Sequence, residues 1–159
     1  ARVEQCKKQN GALAGFPGAK TITNEQLLTL RVDLLVPAAL ESVITAKNVG
    51  RVKASIIVEL ANGPVEPEAD AKLWKRGIPV VPDIVANAGG VVGSYFEWVQ
   101  NRSGEHWAEA QVWKKLQPIM QKAFRDMWKL HVEHHVPLRI AAYMLALQRV
   151  WKAMELRHQ

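Results

Sequence analysis

Cysteine is nearly missing: the 159 residues contain only Cys6. One thiol cannot build an internal disulfide framework, so the fold has to hold by burial and hydrogen bonding, which fits a reducing compartment. A cytoplasmic protein is therefore expected. Long apolar runs are also lacking. The longest, such as SIIVELA, fall far short of the ~20 residues that cross a bilayer, and no basic segment followed by an apolar core and a cleavage site opens the chain. No membrane partner is expected.

Charge of one sign does not gather anywhere. The net charge is +6, yet Lys and Arg alternate with acids in KLWKRG and AFRDMWKLHVEHH, so no stripe tracks a phosphate backbone. A nucleic-acid partner is not expected. Metal ligands are sparse as well. His131, His134 and His135 in HVEHH do not follow the order of a zinc-protease helix, and no further Cys or His cluster completes a site. No metal is expected there; a solvated, histidine-rich helix end explains the triplet. Cys6 sits beside Lys7 and Lys8 but has no catalytic partner in sight. Internal repeats and low-complexity segments are absent.

What is present is alternation. Hydrophobic residues make up 48% and charged residues 23% of the chain, the balance of one globular domain or a large part of one. ARVEQCKKQNG reads as the tail of a helix ended by Gly11 and not as the start of a protein, so an incomplete chain is the expectation. ALAGF, VDLLVPAAL, ASIIVELA and IPVVPDIV are apolar runs of strand type, and TNEQLLTL is a short helix signal. PEADAKLWKRG carries a full set of helix signals: Pro67 at the first position, acids in the first turn, bases in the last and Gly77 as the stop. Continuously apolar strands separated by helices indicate an α/β fold with a largely parallel sheet covered on both faces.

Past about residue 104 the strand signals stop. Trp113, Leu116, Met120, Phe124 and Met127 recur at steps of three or four, as do Ile140, Tyr143, Met144, Leu147, Val150 and Trp151. Two long helices packed on the sheet are predicted, the first kinked or restarted at Pro118. Most of the six tryptophans fall in this part and are expected in core or interface packing.

In an open parallel sheet, ligands bind beyond the carboxyl ends of the strands. Three distinctive loops follow the apolar runs: PAAL after Val36, ANGP after Leu60 and ANAGG after Val85. Two of them set an asparagine near a glycine, Asn62 with Gly63 and Asn87 with Gly89. Each side-chain amide offers both a donor and an acceptor, which suits a ligand carboxamide or hydroxyl; a plain turn former is the other reading of either one. Gly89 and Gly90 make a weak start for the helix that follows, and a ligand seated on their free amides would supply the missing cap. Asn87, Val91 and Ser94 share one face of that helix, while Val92, Phe96 and Val99 share the face toward the core. Ser94 either points into the cleft or bonds back to a carbonyl one turn earlier.

VELANGPVEPEAD, GIPVVPDIVANAGGVVGSYFEW, QNGALAGFPGAK and LRIAAYMLALQRV strongly resemble motifs in the carboxyl-terminal half of the glutamate dehydrogenases, within the glutamate, leucine, phenylalanine and valine dehydrogenase family. The resemblance covers nearly the whole chain. It implies NAD- or NADP-dependent oxidative deamination of L-glutamate to 2-oxoglutarate and ammonia by an oligomer, often a hexamer. Residues 1–104 would be the second half of a Rossmann-like dinucleotide-binding domain, and residues 105–159 a helical segment packing on it. Carried over by motif, Ala38, Asn62 and Asn87 would lie along the nicotinamide and its ribose. Val91 and Ser94 would border the substrate, with Ser94 donating to the distal carboxylate. The family's Gly-rich phosphate-binding turn and its catalytic lysine and aspartate are not in these residues, so no catalytic residue is assigned and the chain alone is expected to be inactive. Leu60 stands where relatives usually have glycine or alanine. A non-catalytic module that binds a nucleotide or another protein is the alternative function.

Overall fold

The computed structural model describes residues 2–13 and 15–157. Three parallel strands form its sheet in sequential order: β1 (Leu34–Leu35), β2 (Ile56–Val58) and β3 (Val80–Val81). Leu35 pairs with Ile57, and Ile57 with Val80. The strands are shorter than the apolar runs that contain them. Proline explains this, since Pro37 follows β1 and Pro79 and Pro82 flank β3, and each lacks the donor that a ladder needs. Glu59 carries the ladder one step further, its amide donating to the Val81 carbonyl at 3.1 Å.

Side-chain alternation along β2 and β3 splits the interior into two cores. Ile57 and Val80 face Leu28, Ile44, Val49, Val65, Ala69 and Leu73. Leu73 belongs to α3 (Pro67–Lys75), which has proline at its first turn as the sequence predicts and whose chain turns at Gly77 with φ 71°. Leu28 comes from α2 (Asn24–Leu28), which follows α1 (Arg2–Asn10) and is opened by a capping box in which Thr23 and Gln26 serve each other's backbone amides. Ile44, Ile57 and Leu73 are fully buried, each worth about 1.5–3 kcal/mol of hydrophobic stabilisation. Arg76 ties α3 to the 3-10 turn Val49–Arg51, donating to the carbonyls of Val49 and Val52.

The opposite face carries Val81, with Ile56 and Val58 beside it. It packs against Met127 of α6 (Glu109–His134) and Leu138, Ala141 and Ala142 of α7 (Leu138–Arg157). The small side chains of Ala141 and Ala142 let α7 sit close to the sheet. The turn between α6 and α7 is fixed by His135 in the left-handed conformation, φ 51°, and by His131, whose Nδ1 lies 2.6 Å from the Val136 carbonyl. Helices thus cover both faces of a parallel sheet, as the apolar runs imply.

Four expectations need correction. ALAGF is not a strand: residues 12 and 13 form bends, residue 15 a turn, residue 16 is irregular, and Ala14 lies outside the described residues. Helix α6 runs unbroken through Pro118, so no new start occurs; the proline is exposed, as is Lys114, whose carbonyl it leaves without a helical donor. The stripe of α7 does not supply its core contact. Ile140, Tyr143, Leu147, Val150 and Trp151 are exposed, Leu147 by 68%, while Leu138, Ala141 and Ala142 are buried. Of the core or interface packing expected for the tryptophans, the core half fails: apart from Trp107, half-buried against Phe96 with ring centroids 5.7 Å apart, they lie outside the core. Trp74, Trp98, Trp113, Trp128 and Trp151 are all more than a third exposed and several pair on the surface, as Trp98 does with Tyr95 at 5.9 Å and with the Arg102 guanidinium at 5.3 Å.

Candidate functional site

Parallel strands in sequential order put the three loops that follow them on one edge. Main-chain and side-chain hydrogen bonds join them there. The amides of Leu60 and Ala61 both donate to the Pro37 carbonyl, at 3.0 and 2.9 Å, which ties the ANGP loop to the PAAL loop. Asn87 Nδ2 donates to Asn62 Oδ1 at 2.7 Å and lies 3.4 Å from the Leu60 carbonyl, which ties ANGP to ANAGG. A cleft of about 700 Å³ opens between them, lined by Leu40, Glu41, Leu60, Asn62, Asn87, Gly90 and Val91 among others.

The two asparagines therefore meet, although 25 positions separate them. Their mutual bond uses one donor of Asn87 and one acceptor lone pair of Asn62. The Asn62 amide nitrogen and the Asn87 carbonyl oxygen have no other side-chain partner among the described residues. One donor beside one acceptor is the complement of a primary carboxamide.

The remaining candidate residues fall at different distances from this pair. Val91 lines the cleft and is 75% exposed. Ala38 lines an adjoining groove with Leu35, Val36 and Leu40, and Leu40 is shared between the two. Ser94 is exposed on α5 (Gly89–Ser103) and does not line the cleft, whereas Phe96 on the opposite side of that helix is buried. Leu60 stands 46% exposed at the cleft wall, where its bulk narrows the approach to the asparagines.

The glycine-rich start of α5 has its own support. The short helix α4 (Asp83–Ala86) leads straight into it: Gly90 donates to the Asn87 carbonyl at 3.2 Å and Val92 to that of Ala88 at 3.1 Å. Neither Gly89 nor Gly90 has a positive φ. A Cβ at Gly89 would touch Met120 Sδ at 3.9 Å, and one at Gly90 would meet nothing within 4 Å. Packing therefore does not demand glycine at position 90. What its absent side chain leaves is open space beside Asn87, on the wall of the cleft.

Beneath the loops lies a charged cluster that sequence reasoning misses. Glu59, which directly follows β2, is 0% exposed. Its Oε1 accepts from Arg139 Nη2 at 2.7 Å, and its Oε2 accepts from the Asp83 amide at 2.9 Å, placing a buried anion at the amino end of α4. Asp83 in turn accepts from the Gly63 amide at 2.8 Å, and Asp70 of α3 accepts from Arg139 Nε at 3.0 Å. Burial pushes the Glu59 carboxyl above its ordinary range, against the pull of Arg139 and the Asp83 amide. Desolvation works against the Arg139 charge, but Glu59 and Asp70 outweigh it and raise the guanidinium's pKa. The one hint in the sequence is an acid set within the apolar run SIIVELA, where an unpaired charge would be prohibitively costly.

The histidines of HVEHH do not converge. His131 is held by the Val136 carbonyl and by the rings of Trp74 and Trp128, with centroids at 5.7 and 5.0 Å. Among the described residues no group of three Cys, His, Asp or Glu could hold a metal ion, and no helix is long and apolar enough to cross a membrane.

Comparison with known proteins places this geometry. The family model described as Glutamate/Leucine/Phenylalanine/Valine dehydrogenase matches residues 1–158. The glutamate dehydrogenase of Thermotoga maritima is 52% identical over 151 residues, covering 95% of this chain and 36% of that protein. The NAD-specific glutamate dehydrogenase of Clostridioides difficile is 48% identical, covering 94% of this chain and 36% of its own length. The NADP-specific glutamate dehydrogenase A1 of Halobacterium salinarum is 50% identical, covering 96% and 37%. The chain thus spans little more than a third of the curated relatives it matches. Among solved structures, the hetero-hexameric glutamate dehydrogenase of Thermus thermophilus in its leucine-bound form superposes with a TM-score of 0.87 at 30% identity, covering 98% of this chain and 36% of that one. A parallel sheet clothed by helices, three loops gathered at its carboxyl edge and a family match along its whole length lead to one conclusion: the chain belongs to the glutamate, leucine, phenylalanine and valine dehydrogenase family.

Proposed function

We propose that this chain is the nicotinamide-side part of the cofactor domain of a dehydrogenase that oxidatively deaminates L-glutamate to 2-oxoglutarate and ammonia with NAD or NADP. The pairing of Asn62 with Asn87 carries the reading. Its spare donor and acceptor match a carboxamide, and the open space at Gly90 leaves room for a flat ring to approach. When bound, the dinucleotide supplies the two-electron oxidation. The chain's own residues orient it: Asn62 and Asn87 hold the carboxamide, and Ala38, in the adjoining groove, borders the ribose. Val91 and Ser94, one turn apart on α5, flank the amino acid, with the Ser94 hydroxyl donating to its distal carboxylate. None of these residues moves a proton, and catalytic groups are assigned to no residue of this chain.

Relatives of both cofactor types match, which supports NAD or NADP as the dinucleotide. The hexameric neighbour supports an oligomer, and the solitary cysteine supports a cytoplasmic setting. Functionally we divide the chain after residue 104: the first part carries the dinucleotide edge, and residues 105–159 brace it from the second core.

The test is glutamate-dependent reduction of NAD and of NADP by the intact protein that carries this chain, followed by absorbance. Turnover with one of the two is expected, and none from the 159-residue chain alone. An intact protein that binds neither dinucleotide refutes the reading and leaves a non-catalytic binding module in its place.

A further inference from the structure

We propose that Arg139, on the last helix, is a positioning residue for the paired amides of Asn62 and Asn87, acting through Glu59 and Asp83. The inference rests on the reading of that pair as the carboxamide contact. Both asparagines hang from one buried carboxylate. Glu59 spends its two oxygens on different elements: Oε1 on Arg139 Nη2 at 2.7 Å and Oε2 on the Asp83 amide at 2.9 Å. From Asp83 the connection divides. Its side chain accepts from the amide of Gly63, next to Asn62, at 2.8 Å, and its carbonyl accepts from the Asn87 amide at 3.0 Å. A displacement of Asp83 therefore moves both asparagines, each by a different route.

Arg139 holds this arrangement in place. Its Nη1 lies 3.6 Å from Asp83 Oδ1, and its Nε bonds Asp70 at 3.0 Å, so one planar fork faces three carboxylates. Without the guanidinium, the fully buried Glu59 and the partly exposed Asp83 would meet as two like charges, and Asp83 would swing outward toward solvent. Lysine cannot substitute, because a single ammonium does not span the directions that the fork serves together. Stability does not account for the cluster, since a buried ion pair replaced by apolar residues is often neutral or better. What the cluster fixes is where the loops stand.

The experiment uses the intact protein and two substitutions, R139K and D70N. The second frees one side of the guanidinium without touching Glu59, and it decides the matter if R139K does not fold. Amide hydrogen exchange in the cofactor-free protein is expected to speed up in segments 60–64 and 82–90, with residues 69–73 of α3 unchanged. The dinucleotide dissociation constant is expected to rise roughly tenfold in R139K, and less in D70N. If Arg139 acts through the asparagines, R139K adds little to N87A, and the double variant binds within about twofold of N87A alone. Unchanged exchange in both segments overturns the inference, as do losses that multiply in the double variant. If N87A loses affinity while R139K and D70N do not, only this inference falls. If N87A itself binds normally, the reading of the cleft falls with it.

Discussion

Replacing Asn87 by alanine separates what its amide does for the fold from what it does in the cleft. In the unliganded protein the substitution removes the bond to Asn62 Oδ1 at 2.7 Å and a long contact to the Leu60 carbonyl at 3.4 Å. Asn62 is exposed, so water replaces the lost donor. The net cost to folding is then about 0.5–1.5 kcal/mol, the usual worth of one hydrogen bond. At roughly 2–4 °C per kcal/mol for a protein of this size, the unfolding midpoint should fall by only a few degrees. The bound state loses more. A carboxamide seated against the pair keeps its donor group but finds no acceptor once Asn87 Oδ1 is gone, and the Asn62 amide is no longer held in orientation. Leaving a desolvated polar group unmatched costs about 1–3 kcal/mol, which at about 1.4 kcal/mol per decade raises the dissociation constant roughly five- to hundredfold. Calorimetric titration of the intact protein with NAD and NADP, beside thermal unfolding of the same samples, reads both quantities. A midpoint that drops steeply while affinity stays within about twofold of the parent would refute the reasoning and make Asn87 a turn former.

On the role proposed for Ser94, Ser94→Val in the intact protein should lower the specificity constant for glutamate roughly ten- to hundredfold while that for norvaline holds; equal losses for both substrates would mean that Ser94 only supports α5. The buried Glu59 carboxyl binds its proton more tightly in the native chain than in the unfolded one, where its ordinary value is 4.5. Its contribution to stability is therefore present below that value and is lost as pH rises through the higher native one, and Glu59→Gln should remove this slope from urea midpoints taken across the acidic range. Identical slopes in parent and variant would contradict the sign. Met127 is 0% exposed between α7 and Val81, so Met127→Ala should cost about 2–5 kcal/mol of stability, read as a shift in the denaturant midpoint; a loss below about 1 kcal/mol would mean that the second core closes around the gap.

Local chemistry makes much of the fold legible. Pro67 and Gly77 bound α3 because a missing amide and a positive φ are properties of single residues, and the apolar runs around Ile57 and Val80 reveal a sheet clothed on both sides. The meeting of Asn62 and Asn87 is legible too, since parallel strands send successive loops to one edge. Periodicity misleads on α7. Spacing of three or four reports that Tyr143, Leu147 and Trp151 share a face but not what covers it, and the close packing falls instead to Ala141 and Ala142. The acid within SIIVELA shows that Glu59 needs a partner, but nothing in its neighbourhood names Arg139.

That partnership bridges 80 positions, and this has a consequence for the order in which the molecule is made. Among the described residues, the core on the α3 side draws on positions from Leu28 to Val80, so it can close while later residues are still being synthesised. The core on the other side needs Met127, Leu138 and Ala142. Until α7 emerges, Glu59 has no guanidinium to face and stays solvated at the end of a half-covered sheet. The loop edge beside Glu59 then takes its shape after the α3 core, and in pulse-labelled refolding the Gly63 amide should gain protection after those of Leu73 and Ile57. A newly made chain thus passes through a stage in which its sheet is formed but the loops at its carboxyl edge are not yet held, and the arrival of α7 completes the contact of Arg139 with Glu59 beneath them.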